Sequence, residues 1–190
     1  ISAYGDAYAE KFFNCRLENC NFYSDQLTSV VFMNCHFQNC TFTTYNEEGA
    51  RGRLPFSNTT FLSCSFSECL FDGFTESYGN LTDCTMKFCR IQNSKMEAFH
   101  LVNLNMIECV IKNLSLRHAT APLFYLRGCT SDGLDLRDAK IGTITFQGGS
   151  YENSDFSNAQ VLQMKFVRAE GDFERLMPSA DCTLPDFFIR

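Results

Sequence analysis

The chain has 190 residues with 16 basic and 22 acidic side chains, 11 Cys, 20 Phe, 4 Pro and no Trp. That length supports one domain with its own core, and no apolar run approaches the ~18 residues of a membrane span or the pattern of a signal peptide. The formal charge of −6 argues against direct nucleic-acid binding, because neutralising phosphates needs clustered Lys and Arg.

The chain opens at Ile1 rather than Met, which is read as a processed product or a domain cut from a larger protein. Residues 1–13 are expected to cap one end of the fold. From Phe12 onward a five-residue period takes over: Phe12, Leu17, Phe22, Leu27, Phe32, Phe37 and Phe42, then, after an interruption, Phe56 and every fifth residue to Phe166. Glu76, Ala121 and Ser131 are the exceptions on this grid; every other position is large and apolar. Two residues before the grid lies a small phase holding all but one of the 11 cysteines, with Ala119, Ala139, Ala159 and Ala169 later in the chain. Asn, Ser, Thr and Asp fill the gaps, residues that favour turns because their side chains bond nearby backbone. A fixed short repeat of this kind signals a solenoid.

The pattern resembles the pentapeptide-repeat family, whose unit places Ala or Cys two residues before a central Leu or Phe. Cys35-His36-Phe37-Gln38-Asn39-Cys40-Thr41-Phe42 and Cys64-Ser65-Phe66-Ser67-Glu68-Cys69-Leu70-Phe71 carry the resemblance, which spans roughly Phe12 to Ala169. It implies an all-β right-handed quadrilateral parallel β-helix, one pentapeptide per side and four per coil. With faces one to four opened by Leu17, Phe22, Leu27 and Phe32, looping out nine residues near Tyr45–Arg53 aligns Cys20, Cys40, Cys69, Cys89, Cys109 and Cys129 on face two. Cys15, Cys35, Cys64 and Cys84 then align on face one. The repeat domain is set at 14–169 with an inserted loop at 45–53, in about seven coils and a rod near 35 Å at ~4.8 Å per coil. Glu76 conflicts with an inward position, so a bulge is expected over Gly73–Gly79. A second irregularity is expected at Ala119–Leu123, where Pro122 lacks a donor. Residues 170–190 leave the repeat and are expected to form a C-terminal cap or a homodimer contact.

Cysteines stacked along one wall are read as small core filler. Their parallel Cβ vectors disfavour disulfides, and collinear sulfurs do not make a tetrahedral metal site. Reduced thiols suit the cytoplasm or another reducing compartment. His36, His100 and His118 fall on different elements, and no phosphate loop, nucleophile elbow or paired-His motif is present. No catalytic residues, metal or cofactor are therefore expected, and any activity would reside in a domain absent from this chain.

Function is sought on the surface. In this register face four displays Val31, Met33, Leu62, Val102, Pro122 and Leu162, an apolar row of the kind that marks a protein interface. The inserted loop, with Glu47, Glu48, Arg51 and Arg53, is the second candidate. The family resemblance implies a protein-interaction or scaffold module, including repeat domains of bacterial effectors delivered to a host cytosol. The alternative it implies is a Qnr-like, DNA-mimicking protein that binds DNA gyrase and protects it from quinolones or toxins. Arg90, Lys95, Lys112, Arg117 and Arg137 interrupt the acidic rows that such mimicry would use.

Overall fold

The computed structural model describes residues 7–8, 11–23, 27–43, 56–72 and 80–171. Every described strand pairs in parallel, in a 12-stranded and an 11-stranded sheet. Successive three-residue strands such as Val31–Met33 and His36–Gln38 lie in different sheets or on different walls, while residues one coil apart are in register. The result is an all-β parallel solenoid with four walls.

Face one stacks Leu17, Phe37, Phe66, Ile91, Ile111, Ser131 and Tyr151. Face two places Phe22, Phe42 and Phe71 in register, and continues through Leu70 opposite Lys95. Face three runs Leu27, Phe56, Leu81 and Leu101, and later Ala121, Ile141 and Val161. Face four runs Phe12, Phe32, Phe61, Met86, Met106, Leu126, Phe146 and Phe166. The expected coil count is close to what these columns give. Parallel pairing also reaches into both segments expected to cap the rod, through Lys11–Phe13 and Glu170–Gly171.

This pairing corrects the sequence-based register. Phe56 takes the face after Phe42, so nine of the residues between them are surplus to the five-residue count. Leu81, however, pairs with Phe56 and not with Phe61, so it takes the face directly after Phe71 although ten residues separate the two. Five further residues are therefore surplus between Asp72 and Asn80, and Glu76 needs no inward place. The bulge expected over Gly73–Gly79 itself lies outside the described residues, as does the loop 45–53. From Cys84 onward every face shifts by one: the long cysteine column is Cys15, Cys35, Cys64, Cys89, Cys109 and Cys129 on face one. Cys20, Cys40 and Cys69 are followed on face two by Ser94, and Cys84 lies on face four above Thr59.

The interior explains the composition. Phe32 stacks on Phe12 and Phe61 at 4.9 and 5.2 Å, Phe37 on Phe66 at 4.9 Å and Phe42 on Phe71 at 4.5 Å, nearly coplanar in each column. Around one coil the rings meet edge to face, as Phe32 with Phe37 at 5.4 Å. Both geometries suit the ring quadrupole and add roughly 0.5–1.5 kcal/mol per pair to burial. Met86, Ile91, Met96, Leu101, Met106 and Ile111 replace the rings in the middle coils, all buried.

Corners are made by left-handed residues. Asn14, Asn19, Asn34, Asn39, Asn93 and Asn113 all have φ near +50°, a conformation that Asn tolerates because its short polar side chain bonds locally. Stacked corner amides also bond one another: Asn39 Nδ2 donates to Asn19 Oδ1 at 2.7 Å and Asn113 Nδ2 to Asn93 Oδ1 at 3.0 Å. At the corner from face three to face four the later coils differ. Leu104, Phe124, Ile144 and Met164 replace the small residue there, and strands such as His100–Ile107 run straight through. The expected irregularity at Pro122 is present as a register shift between Val102 and Leu104 against the strand carrying it. Gly142 stacks next to Pro122, where an added Cβ would lie 2.5 Å from the Pro122 carbonyl oxygen.

Candidate functional surface

The interior contains few groups able to do chemistry. Burial pushes the thiol pKa of Cys64 to about 12, of Cys69 to about 11 and of Cys84 to about 12, so these side chains are protonated at neutral pH. They are weak nucleophiles in that form. The cysteines are nevertheless more than filler. The thiols of Cys40, Cys64, Cys89, Cys109 and Cys129 reach the carbonyl oxygens of Leu17, Phe32, Phe61, Met86 and Met106 at 3.2–3.4 Å, each one coil away. Each ties its own coil to the one before. Ten cysteines from Cys15 to Cys129 are unbridged, and among the described residues no group of three or more His, Cys, Asp or Glu is placed to hold a metal.

The polar surface is dispersed. His36 Nδ1 bonds Ser65 Oγ on face one, His100 Nδ1 bonds Thr120 Oγ1 at 2.6 Å on face three, and His118 occupies a corner at φ 58°. These three imidazoles lie on separate walls or corners. On face two, Arg137 donates two bonds to Asp135, at 2.9 and 2.7 Å, and its Nε also lies 3.6 Å from Asp155. Burial alone would raise the Asp135 pKa, but the Arg137 bonds outweigh it and hold the carboxyl below its usual range. Arg117 lies 3.8 Å from Asp138 on the same wall. Acidic residues do line up, Asp132 with Glu152 and Asp135 with Asp155, yet the second pair is partly neutralised by Arg137.

The corrected register divides the apolar row expected on face four. Val31, Met33 and Leu62 are on face four, half-buried, with Met33 and Leu62 adjacent in the ladder. Val102 and Leu162 belong to face three, where Leu162 is 75% exposed and Val102 half-buried. Leu162 lines a shallow depression of about 330 Å³ with His100, Pro122, Lys140 and Gln160. Glu47, Glu48, Arg51 and Arg53 lie outside the described residues.

Sequence reasoning missed several apolar members of face four, Tyr125 and Val167 among them. Phe13 continues the Met33–Leu62 row and is 51% exposed; it had been assigned to a cap. Ile107 follows Lys87 in the same row, and Phe88 projects at the corner beside it, 47% exposed, with the Lys87 ammonium 4.8 Å from its ring. The available signal was a large apolar residue at an outward phase of the repeat.

No protein-family model matches the sequence, and no curated protein matches it. Solved structures do. A trypsin-treated variant of QnrB1, a plasmid-mediated fluoroquinolone resistance protein, is similar at a TM-score of 0.52 and 15% identity, covering 92% of this chain and 90% of that one. Full-length QnrB1 gives 0.42 at 13% identity, covering 87% and 95%. HetL, a pentapeptide repeat protein involved in heterocyst differentiation regulation from the cyanobacterium Nostoc sp. strain PCC 7120, gives 0.22 at 11% identity, covering 87% and 90%. At these identities the first likeness speaks for the fold alone. With five residues to a side, four sides to a coil and that overall likeness, the chain has the pentapeptide-repeat β-helix fold.

Proposed function

We propose that the chain is a non-catalytic interaction module that binds a protein partner through the side walls of its β-helix. One observation carries this reading: the inward positions are given over to packing, while contiguous apolar side chains remain outside on a wall that packing makes rigid. Rigid scaffolds that hold apolar patches in place lower the ordering cost of association. The loop 45–53, with Glu47, Glu48, Arg51 and Arg53, would be a second contact, and the unbridged thiols fit a reducing compartment. Among the described residues no helix is long and apolar enough to cross a membrane. A module of this kind fits a domain of a larger effector as well as a separate protein.

The test is partner capture from the native source, comparing the parent chain with the pair Met33→Asp and Leu62→Asp on face four and the pair Val102→Asp and Leu162→Asp on face three. Loss of one specific partner with one pair, at unchanged circular dichroism, supports the reading. Identical capture by all three overturns binding through these walls.

A second reading, a gyrase-protecting DNA mimic, is favoured by the in-register acidic pairs Asp132–Glu152 and Asp135–Asp155 on a fold like that of a fluoroquinolone resistance protein. Arg137 and Arg117 weaken it by placing cations among those acids. A gyrase supercoiling assay with a quinolone decides: rescue at micromolar protein supports this reading, and no rescue removes it.

A further inference from the structure

We infer that face four is the docking wall for an acidic amphipathic α-helix of a protein partner. This deepens the interaction-module reading and rests on it. The inference starts from charge. The chain carries −6 overall, yet the described charged side chains of face four and its two corners are Lys11, Lys87, Arg127, Lys165 and Arg168 against Asp83 and Glu108. Face one, by contrast, mixes Arg90 and Lys112 with Asp132, Glu152 and Glu170. The cationic wall is also the one with the apolar row Phe13, Met33, Leu62 and, past the Lys87 stem, Ile107.

Dimensions favour a helix lying along the rod. Rungs rise at ~4.8 Å, close to the ~5.4 Å pitch of an α-helix, so apolar residues at i, i+3/i+4 and i+7 can track successive rungs. A wall of one three-residue strand is ~10 Å wide, about the diameter of a helix. Lys87 and Arg127 interrupt this row after Leu62 and Ile107, and the Lys87 ammonium leans over Phe88 toward the corner, so glutamates on that flank of the helix would meet cations, and opposite charges set orientation and speed encounter.

A bilayer is the other apolar, anionic surface, and the geometry disfavours it. Met33, Leu62 and Ile107 are half-buried, suited to a complementary surface more than to insertion, with Phe13 and Phe88 standing further out at the row's end and its corner.

The probe is a synthetic 18-residue helical peptide with Leu on one stripe and Glu on its flanks, measured by fluorescence anisotropy. Controls are a scrambled peptide of equal composition, a Glu-to-Lys analogue, and vesicles of phosphatidylcholine and phosphatidylserine. The expected result is saturable binding of the acidic helix alone, weakened at least tenfold by Leu62→Asp, weakened similarly by Lys87→Glu with Arg127→Glu, and unchanged by Leu162→Asp. The charge-reversal pair leaves the apolar row intact, so it guards against a folding defect in Leu62→Asp. Absence of binding, equal binding of the scrambled or Lys peptide, or binding only to vesicles would overturn the acidic-helix assignment. If partner capture is still lost with the face-four or face-three pair, the module reading survives that failure.

Discussion

Cys64, Cys69 and Cys84 connect packing to pH. Their thiols have an ordinary value of 9.0 and are pushed to about 12, 11 and 12 by burial. In the unfolded chain they ionise near pH 9, while the folded chain holds their protons well above that. The unfolded state therefore binds fewer protons between these values, and stability must fall as pH rises. The stabilisation is fully present below pH 9 and is lost as pH approaches 12. Urea midpoints measured from pH 8 to 11 are expected to fall steeply, and less steeply in Cys64→Ala, whose titration is absent; parallel slopes would count against this origin. Ser131 makes the opposite point. It occupies an inward position of face one, 1% exposed, and its Oγ lacks a partner. Its neighbour one coil on, Tyr151, does find one, donating to the Leu126 carbonyl at 3.1 Å. Burying an unpaired hydroxyl costs free energy that a methyl does not, so Ser131→Ala is expected to stabilise by about 1 kcal/mol in urea denaturation.

At the scale of the element, each corner must turn the chain from one wall to the next within two residues, and the glycines show how tightly. Gly148 and Gly149 both have positive φ, +61° at Gly148, close to the other corners, and +83° at Gly149. A Cβ on Gly148 would meet nothing closer than 4.0 Å, whereas one on Gly149 would lie 2.0 Å from the Cys129 carbonyl oxygen. Gly148→Ala is expected to cost about 1 kcal/mol, from the left-handed backbone alone. Gly149→Ala adds a backbone collision and is expected to cost roughly 2–4 kcal/mol; equal melting shifts for the two would refute the steric account. Strands and corners of this kind were legible from sequence because inward Phe and Leu, small Cys and turn-forming Asn each recur at a fixed phase. The order of the faces was not. An insertion of nine residues breaks a period of five and announces itself between Phe42 and Phe56, but one of five leaves the period intact. The cysteine phase cannot reveal it either, since every wall presents the same small position. The physical signal was Glu76, a carboxylate on an apolar grid. Once the register slips there, Val102 and Leu162 move off face four, and Lys87 and Ile107 join Phe13, Met33 and Leu62 in its row.

Across the whole molecule, each coil touches only its neighbours, so tolerance to change in length depends on whether the walls keep their phase. Residues between Asp72 and Asn80 exceed one side by five. Deleting residues 74–78 would leave Phe71 and Leu81 five positions apart, the spacing of any ordinary pair of successive sides. The walls on either side of the deletion would keep their partners, including Phe42 with Phe71 and Phe56 with Leu81. Deleting Lys112 alone instead breaks the five-residue phase by one position, which places Leu114, Leu116 and every later inward residue at an outward phase of the repeat. Large side chains lose roughly 1.5–3 kcal/mol each on such exposure, more in total than a domain's net stability. The five-residue deletion is accordingly expected to keep a cooperative melt within a few degrees of the parent, and the one-residue deletion to abolish it. Thermal unfolding followed by circular dichroism separates the outcomes. A collapse of the five-residue deletion would mean that the Glu76 pentapeptide is a side of the coil after all, and would restore the register in which Leu81 stacks on Phe61.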